Sequence, residues 1–140
     1  MKILLPVDGS DYTKRMLAYV AAHDELLGAA HDYTFFTAVA PIPTHATRFL
    51  ERSTLDGYYA EQAEQVFKPV RAFADQQRWT YRTDYVHGHA AEEIARLAEA
   101  GKYDLIVMGS HGQTSLGNMI LGSVASGVLA RCRLPVMLVR

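Results

Sequence analysis

The amino-acid sequence predicts an α/β protein, a doubly wound five-stranded parallel sheet with helices on both faces. Three observations carry that expectation. Short apolar runs recur, KILLPV at Lys2–Val7, LIVM at Leu105–Met108 and VMLV at Val136–Val139, and unbroken apolarity of this length marks a strand covered on both sides. Longer segments with apolar residues at helical spacing lie between such runs. Strands that alternate with helices imply a parallel sheet with right-handed crossovers.

Taken in order, Lys2–Val7 is the first strand. Ser10 is placed to cap the next helix, and Asp11 suits its positive end. Leu17, Val20 and Ala21 fall at helical spacing, and Gly28 reads as the stop. Tyr33–Val39 (YTFFTAV) is aromatic and β-branched, a second strand ended by Pro41 and Pro43. Pro41 to Ser53 has no clear period and reads as a mobile loop. A long amphipathic helix follows, with Tyr59, Ala63, Val66, Phe67 and Val70 on one stripe. Pro69 inside it is expected to kink or divide it.

Trp79–Val86 alternates weakly and carries Arg82 and Asp84, which suits an edge strand. Ala90–Ala100 is a helix with Ile94, Leu97 and Ala98 inward and Gly101 as its stop. Leu105–Met108 is the fourth strand, followed by Gly-Ser-His-Gly. A helix from about Asn118 to Ala130 buries Leu121, Val124, Ala125 and Val128, and Val136–Val139 is the last strand. No second domain, tail or internal repeat is read, so residues 1–140 form one domain.

Bulk properties exclude several functions. The chain has 140 residues, 49% hydrophobic and 21% charged, enough apolar material for a core and too little charge for disorder. A net charge of −1 gives no overall attraction to nucleic acid or anionic lipid. No window is apolar enough for a membrane span. Lys2–Val7 runs at once into Asp8 and Gly9, a strand and loop rather than a signal peptide. One cysteine, Cys132, excludes an internal disulfide and fits a reducing, cytoplasmic setting.

In an open doubly wound sheet, ligands bind beyond the C-terminal strand ends where the strand order reverses. For the order 3-2-1-4-5, the loops flanking the reversal are Pro6-Val7-Asp8-Gly9-Ser10 and Gly109-Ser110-His111-Gly112. Phosphate needs many backbone N–H donors at close range. Glycine permits that approach, and a following helix N-terminus adds positive charge. Gly109, Gly112 and Gly117 can supply the loop, with Gly122 and Ser123 as a second approach; the same glycines also suit turns and close packing. Gly112 and Gly117 have P-loop spacing, but Asn118-Met119 stands where its Lys-Ser/Thr pair would be. No G-x-G-x-x-G follows the first strand, against a dinucleotide dehydrogenase.

At these motifs the chain resembles the universal stress protein family over nearly its whole length. KILLPVDGS, DLIVMGSHG and LGSVASGVLARCRLPVMLVR are similar to that family's first strand and loop, fourth strand and loop, and last helix and strand. Gly109, Gly112, Gly122 and Ser123 reproduce the spaced signature of its ATP-binding branch. The resemblance implies strand order 3-2-1-4-5 in a Rossmann-like, adenine nucleotide alpha hydrolase-like fold. It implies adenine and ribose at Pro6, Val7, Asp8, Ala38 and Val39, and phosphates at Gly109, His111, Gly112, Gly122, Ser123 and Val124, with Met108 and Ser110 also counted as nucleotide-binding. The ligand expected is ATP, with AMP or ADP as alternatives and magnesium carried by the phosphates. In one departure, Gln113 stands where similar proteins often carry arginine or lysine, which predicts weaker triphosphate binding or more tolerance for AMP and ADP.

Other readings weigh less. His87, His89 and His111 lack a placed carboxylate or cysteine to close a zinc site, so no metal site is expected. His87-Gly88-His89 lies after the wrong strand for nucleotidyltransferase chemistry. Ser110, His111 and Asp8 are not expected to form a hydrolytic triad, since adjacent loop residues rarely point at each other and no G-x-S-x-G elbow exists. Cys132, between Arg131 and Arg133, is expected packed rather than reactive. The apolar last strand lies at a sheet edge in this order and predicts a homodimer through Val136–Val139. The expected role is a regulatory adenine-nucleotide-binding module; a slow ATPase and a nucleotide-free interaction protein are the alternatives.

Overall fold

The computed structural model describes residues 1–113 and 118–140. Five strands, β1 (Lys2–Pro6), β2 (Asp32–Val39), β3 (Thr80–His87), β4 (Leu105–Gly109) and β5 (Val136–Val139), form one parallel sheet in the order β3-β2-β1-β4-β5. The helices are α1 (Asp11–Ala22), α2 (Thr44–Thr47), α3 (Arg52–Gln76), α4 (Ala90–Ala100) and α5 (Ser123–Arg131), with a short 3-10 turn at Gly28–Ala30. The expected fold and strand order are therefore present.

The period-two alternation of strand side chains sorts the apolar residues into two layers. Ile3, Leu5, Tyr33, Phe35 and Val107 face α1 and α3, meeting Met16, Val20, Phe67 and Val70. Leu4, Phe36, Ile106 and Met108 face α4 and α5, meeting Ile94, Ala98, Ala125 and Val128. Cys132 is buried in this second layer, as expected of a packed thiol.

Four local expectations need correction. α3 runs undivided through Pro69; buried Tyr59, Ala63 and Phe67 before it and Val70 and Ala74 after it press both halves onto the sheet, which offsets the lost backbone bond. The segment from Pro41 to Ser53 contains α2 and the start of α3. Ser10 occupies the N-cap of α1, yet its side chain makes no cap bond and its Oγ is buried without a partner. α1 ends at Ala22, and Gly28 instead opens the 3-10 turn at φ +77, a left-handed conformation that glycine adopts without strain.

Tyr33 links the fold to pH. Its ring is 1% exposed and its hydroxyl donates to the Gly28 carbonyl at 2.6 Å. Burial, and then the Asp24 carboxylate, push its phenol from 10.0 up to about 12. Below pH 10 both folded and unfolded chains keep the proton, and the contribution is whole. Above it the unfolded chain ionises first, so stability falls as pH rises toward 12. Urea melts at several alkaline pH values should show a loss of roughly 2–3 kcal/mol over this window from Tyr33. Tyr33→Phe should be less stable at neutral pH, and its alkaline slope should be shallower by that amount.

Candidate functional site

The cleft forms where β1 and β4 part. β1 pairs with β2 along its whole length, from Lys2↔Asp32 to Pro6↔Phe36, but with β4 only at Ile3↔Leu105 and Leu4↔Ile106. The sequence accounts for the early end. Successive residues of a parallel strand direct their amides to opposite neighbours. The Val7 N–H donates to the Phe36 carbonyl of β2 at 2.9 Å, so residue 6 would donate toward β4. Residue 6 is proline and has no N–H. The ladder loses its next rung there, and the strand ends separate.

A cleft of about 470 Å³ occupies the opening, within the size range of small-molecule sites. Pro6, Val7, Asp8, Ala38, Met108, Gly109, His111, Gly112, Gly122, Ser123 and Val124 line it, so eleven of the thirteen sequence-predicted residues meet there. Val39 and Ser110 are outside the lining. Val39 packs on the α1–α3 face, opposite Ala38, because neighbouring strand residues alternate. Ser110 is buried, with its hydroxyl turned to His111. Gly117 lies outside the described residues.

The sequence reading missed Thr13, Phe36, Thr37, Ala90, Ile94, Met119 and Ala125, which also line the cleft, and treated Gln113 only as a departure. Phe36 and Ile94 are core residues whose outer edges reach the cleft, so hydrophobic pattern alone gives no signal for them. Thr13 has a signal in hindsight: it lies five residues after Asp8, on the first turn of α1.

Asp8 ties the two loops together. Its Oδ1 accepts from the Ser10 N–H and the Thr13 hydroxyl, both at 2.9 Å. Its Oδ2 accepts from the Gln113 N–H at 3.2 Å, and the Gln113 side-chain amide donates to the Asp8 carbonyl. Three donors fix the carboxylate, and one oxygen keeps capacity for a ligand. Asp8 is the one carboxylate among the described residues of the lining, and no cluster of three or more metal-binding side chains occurs among the described residues. His87 instead stacks on Tyr59, centroids 4.6 Å apart.

The glycines hold the loops at backbone contact. A Cβ on Gly122 would lie 2.9 Å from the His111 Cα and 3.0 Å from the Ser110 carbonyl, while one on Gly109 would meet Tyr12 at 2.7 Å. A Cβ on Gly112 would meet the Asp8 carboxylate at 2.5 Å. The Gly122 N–H donates to the Ser110 carbonyl at 2.7 Å. α5 begins one residue later, at Ser123 rather than about Asn118, because this tie holds Gly122 extended, with ψ 159. Ser126 donates back to Gly122, the first bond of the helix. The N–H groups of Ser123, Val124 and Ala125 therefore have no partner within the helix, and no side chain caps them.

His111 is engaged on both ring nitrogens. Nε2 lies 2.7 Å from the Met119 carbonyl, which only accepts, so Nε2 carries a proton. In the neutral ring Nδ1 then accepts from the Ser110 hydroxyl at 2.9 Å. Contrary to expectation, these adjacent side chains do point at each other. They still form no triad, since Asp8 is bonded elsewhere and Ser110 is 3% exposed.

The model of the family described as "Universal stress protein family" matches residues 1–140. The chain belongs to the universal stress protein family. A universal stress protein of Thermus aquaticus is 36% identical over 140 residues, covering 99% of this chain and 97% of that one. The solved structure of MJ0577, a universal stress protein of Methanocaldococcus jannaschii, superposes with a TM-score of 0.82 at 28% identity, covering 99% and 94% of the two chains. A universal stress protein from Archaeoglobus fulgidus, solved in complex with dAMP, shares the fold at a TM-score of 0.66 and 17% identity, covering 100% and 98%. In this universal stress protein no helix among the described residues is long and apolar enough to cross a membrane.

The backbone contact at Gly122 sets a test of the loop geometry. Gly122→Ala must push His111 and Ser110 apart and should cost about 1–3 kcal/mol, measured by urea unfolding. Ser123→Ala, which adds no volume at the contact, should stay within about 0.5 kcal/mol.

Proposed function

We propose that this cleft holds an adenine nucleotide and that the protein acts as a small regulatory binding module. One observation carries the reading: the cleft sets an apolar slot beside an uncapped helix N-terminus. Phe36, Ala38, Ile94 and Met108 offer a purine apolar walls. Asp8 is fixed in place to accept from a ribose hydroxyl or the base amine. The free amides of the first turn of α5 suit a phosphate. Family membership supports ATP as the ligand to test first, with magnesium brought by the phosphates rather than held by side chains. The dAMP complex of the Archaeoglobus fulgidus protein is in keeping with the adenine class.

In this reading occupancy changes the loops from Pro41 to Ser53 and from Gln113 to Asn118, and so alters what the protein docks onto. A second copy pairs along β5, whose Val136, Met137 and Leu138 are only half-buried at the sheet edge, and the protein works in the cytoplasm. The described lining suits holding rather than hydrolysis, since the Ser110 hydroxyl is buried against His111 and Asp8 is bonded to the loops.

Calorimetric titration of the purified protein with ATP, ADP and AMP checks the proposal. At least one should bind with Kd below about 1 mM. Gly122→Asp, which puts a carboxylate at the phosphate end, should weaken that binding about tenfold or more. If no adenine nucleotide binds at millimolar concentration, the reading fails.

A further inference from the structure

We infer that the cleft selects among adenine nucleotides by phosphate charge, and holds a monophosphate more tightly than a metal-free triphosphate. The inference rests on the adenine-nucleotide reading and adds a ligand class to it.

No lysine or arginine is among the described residues that line the cleft. The sequence shows that this is not an accident of side-chain placement. From Gly109 through Ala130 the chain has no Lys, Arg, Asp or Glu at all, so residues 114–117 bring no cation either. From Pro6 to Thr13 the only charges are Asp8 and Asp11. The first turn of α4, whose Ala90 and Ile94 face the cleft, carries Glu92 and Glu93. Every segment that forms the walls is neutral or acidic.

Four cations near these segments have partners of their own, and Arg140 follows the Val139 carbonyl that holds Ser110. Lys14 lies 3.7 Å from Asp11, and Arg96 pairs with Glu93. Arg131 lies 3.9 Å from Glu92 and donates to the Gly127 carbonyl. Arg15 holds its guanidinium over the Tyr12 ring, 5.1 Å from its centroid.

Positive potential in the cleft thus comes from backbone alone. One helix N-terminus supplies about half an elementary charge, and it falls off within the first turn. A phosphomonoester carries about −1.5 to −2 at neutral pH, and a longer phosphate chain carries more. The first phosphate meets the amides of Ser123, Val124 and Ala125. Further phosphates meet no countercharge and share the cleft with the Asp8 carboxylate.

Titrations in chelator at constant ionic strength, with adenosine, AMP, ADP and ATP, test this. AMP should bind at least about fivefold tighter than ATP, and its affinity should change less than about twofold between 0.05 and 0.5 M salt, as suits a site without side-chain cations. Gln113→Arg should raise ATP affinity about tenfold, and AMP affinity less, while the uncharged Gln113→Met should not. Arg15→Gln and Arg140→Gln should leave ATP affinity within about twofold. Metal-free ATP binding as tightly as AMP, or a selective loss of ATP binding in either arginine variant, overturns the inference and leaves the adenine reading standing. Failure of all four ligands overturns the adenine reading itself.

Discussion

A missing amide at residue 6 governs the architecture around the cleft. In a fully parallel sheet each inner strand is bonded on both sides, and a continuous ladder would seal the strands together to their ends. Pro6 withholds the donor that would face β4, while Val7 keeps the bond to β2. β1 therefore stays fastened to one neighbour along its length and to the other for two residues. The gap sits at the reversal of strand order, where the two crossovers leave for opposite faces. One proline thus turns a topological switch point into a cavity.

The opened strand ends have to be held at a fixed separation, and Asp8 does this from one side. Its carboxylate and carbonyl draw together the turn before α1 and the backbone and side chain of Gln113. The Ser110–Gly122 backbone bond does the same from the other side, and the Ser110 N–H is fastened to the Val139 carbonyl of β5. The Asp8–Gln113 and Ser110–Val139 ties link segments distant in sequence, so the order they impose is lost with the tertiary fold. His111 extends the set by bonding Met119. Among the described residues the Ser10 hydroxyl is the one buried side-chain polar group without a hydrogen-bond partner.

The fold was legible because its signals are local and repeated. Apolar runs gave four strands and weak alternation gave β3, each to within a residue or two, and helical spacing with Gly101 gave α4 over the range observed. The misplaced elements are those whose bounds are set by distant partners. The start of α5 depends on the Ser110 carbonyl reaching Gly122, and the continuity of α3 past Pro69 depends on the sheet beneath it. The site was legible in its loops and not in its walls. Asp8, Gly109, Gly112 and Gly122 are unusual residues for their places, whereas Phe36, Ile94 and Ala125 are ordinary core residues until the fold exposes their edges. The adjacent pair Ser110–His111 was misjudged because the Met119 carbonyl, eight residues on, fixes the ring.

The glycine signature itself changes meaning once its hydrogen bonds are traced. Read from sequence, it offers a row of amides to phosphate. In the structure the amides of Ser110, Gln113 and Gly122 are already donated to Val139, Asp8 and Ser110. Gly109, Gly112 and Gly122 serve as spacers, removing a Cβ wherever two segments touch. What remains for an anion includes the first turn of α5. A rigid cleft and a generous phosphate cradle compete for the same backbone donors, and here rigidity has taken three of them. The absence of lysine and arginine from the walls points the same way, so donor supply and charge both limit how much phosphate the site can hold.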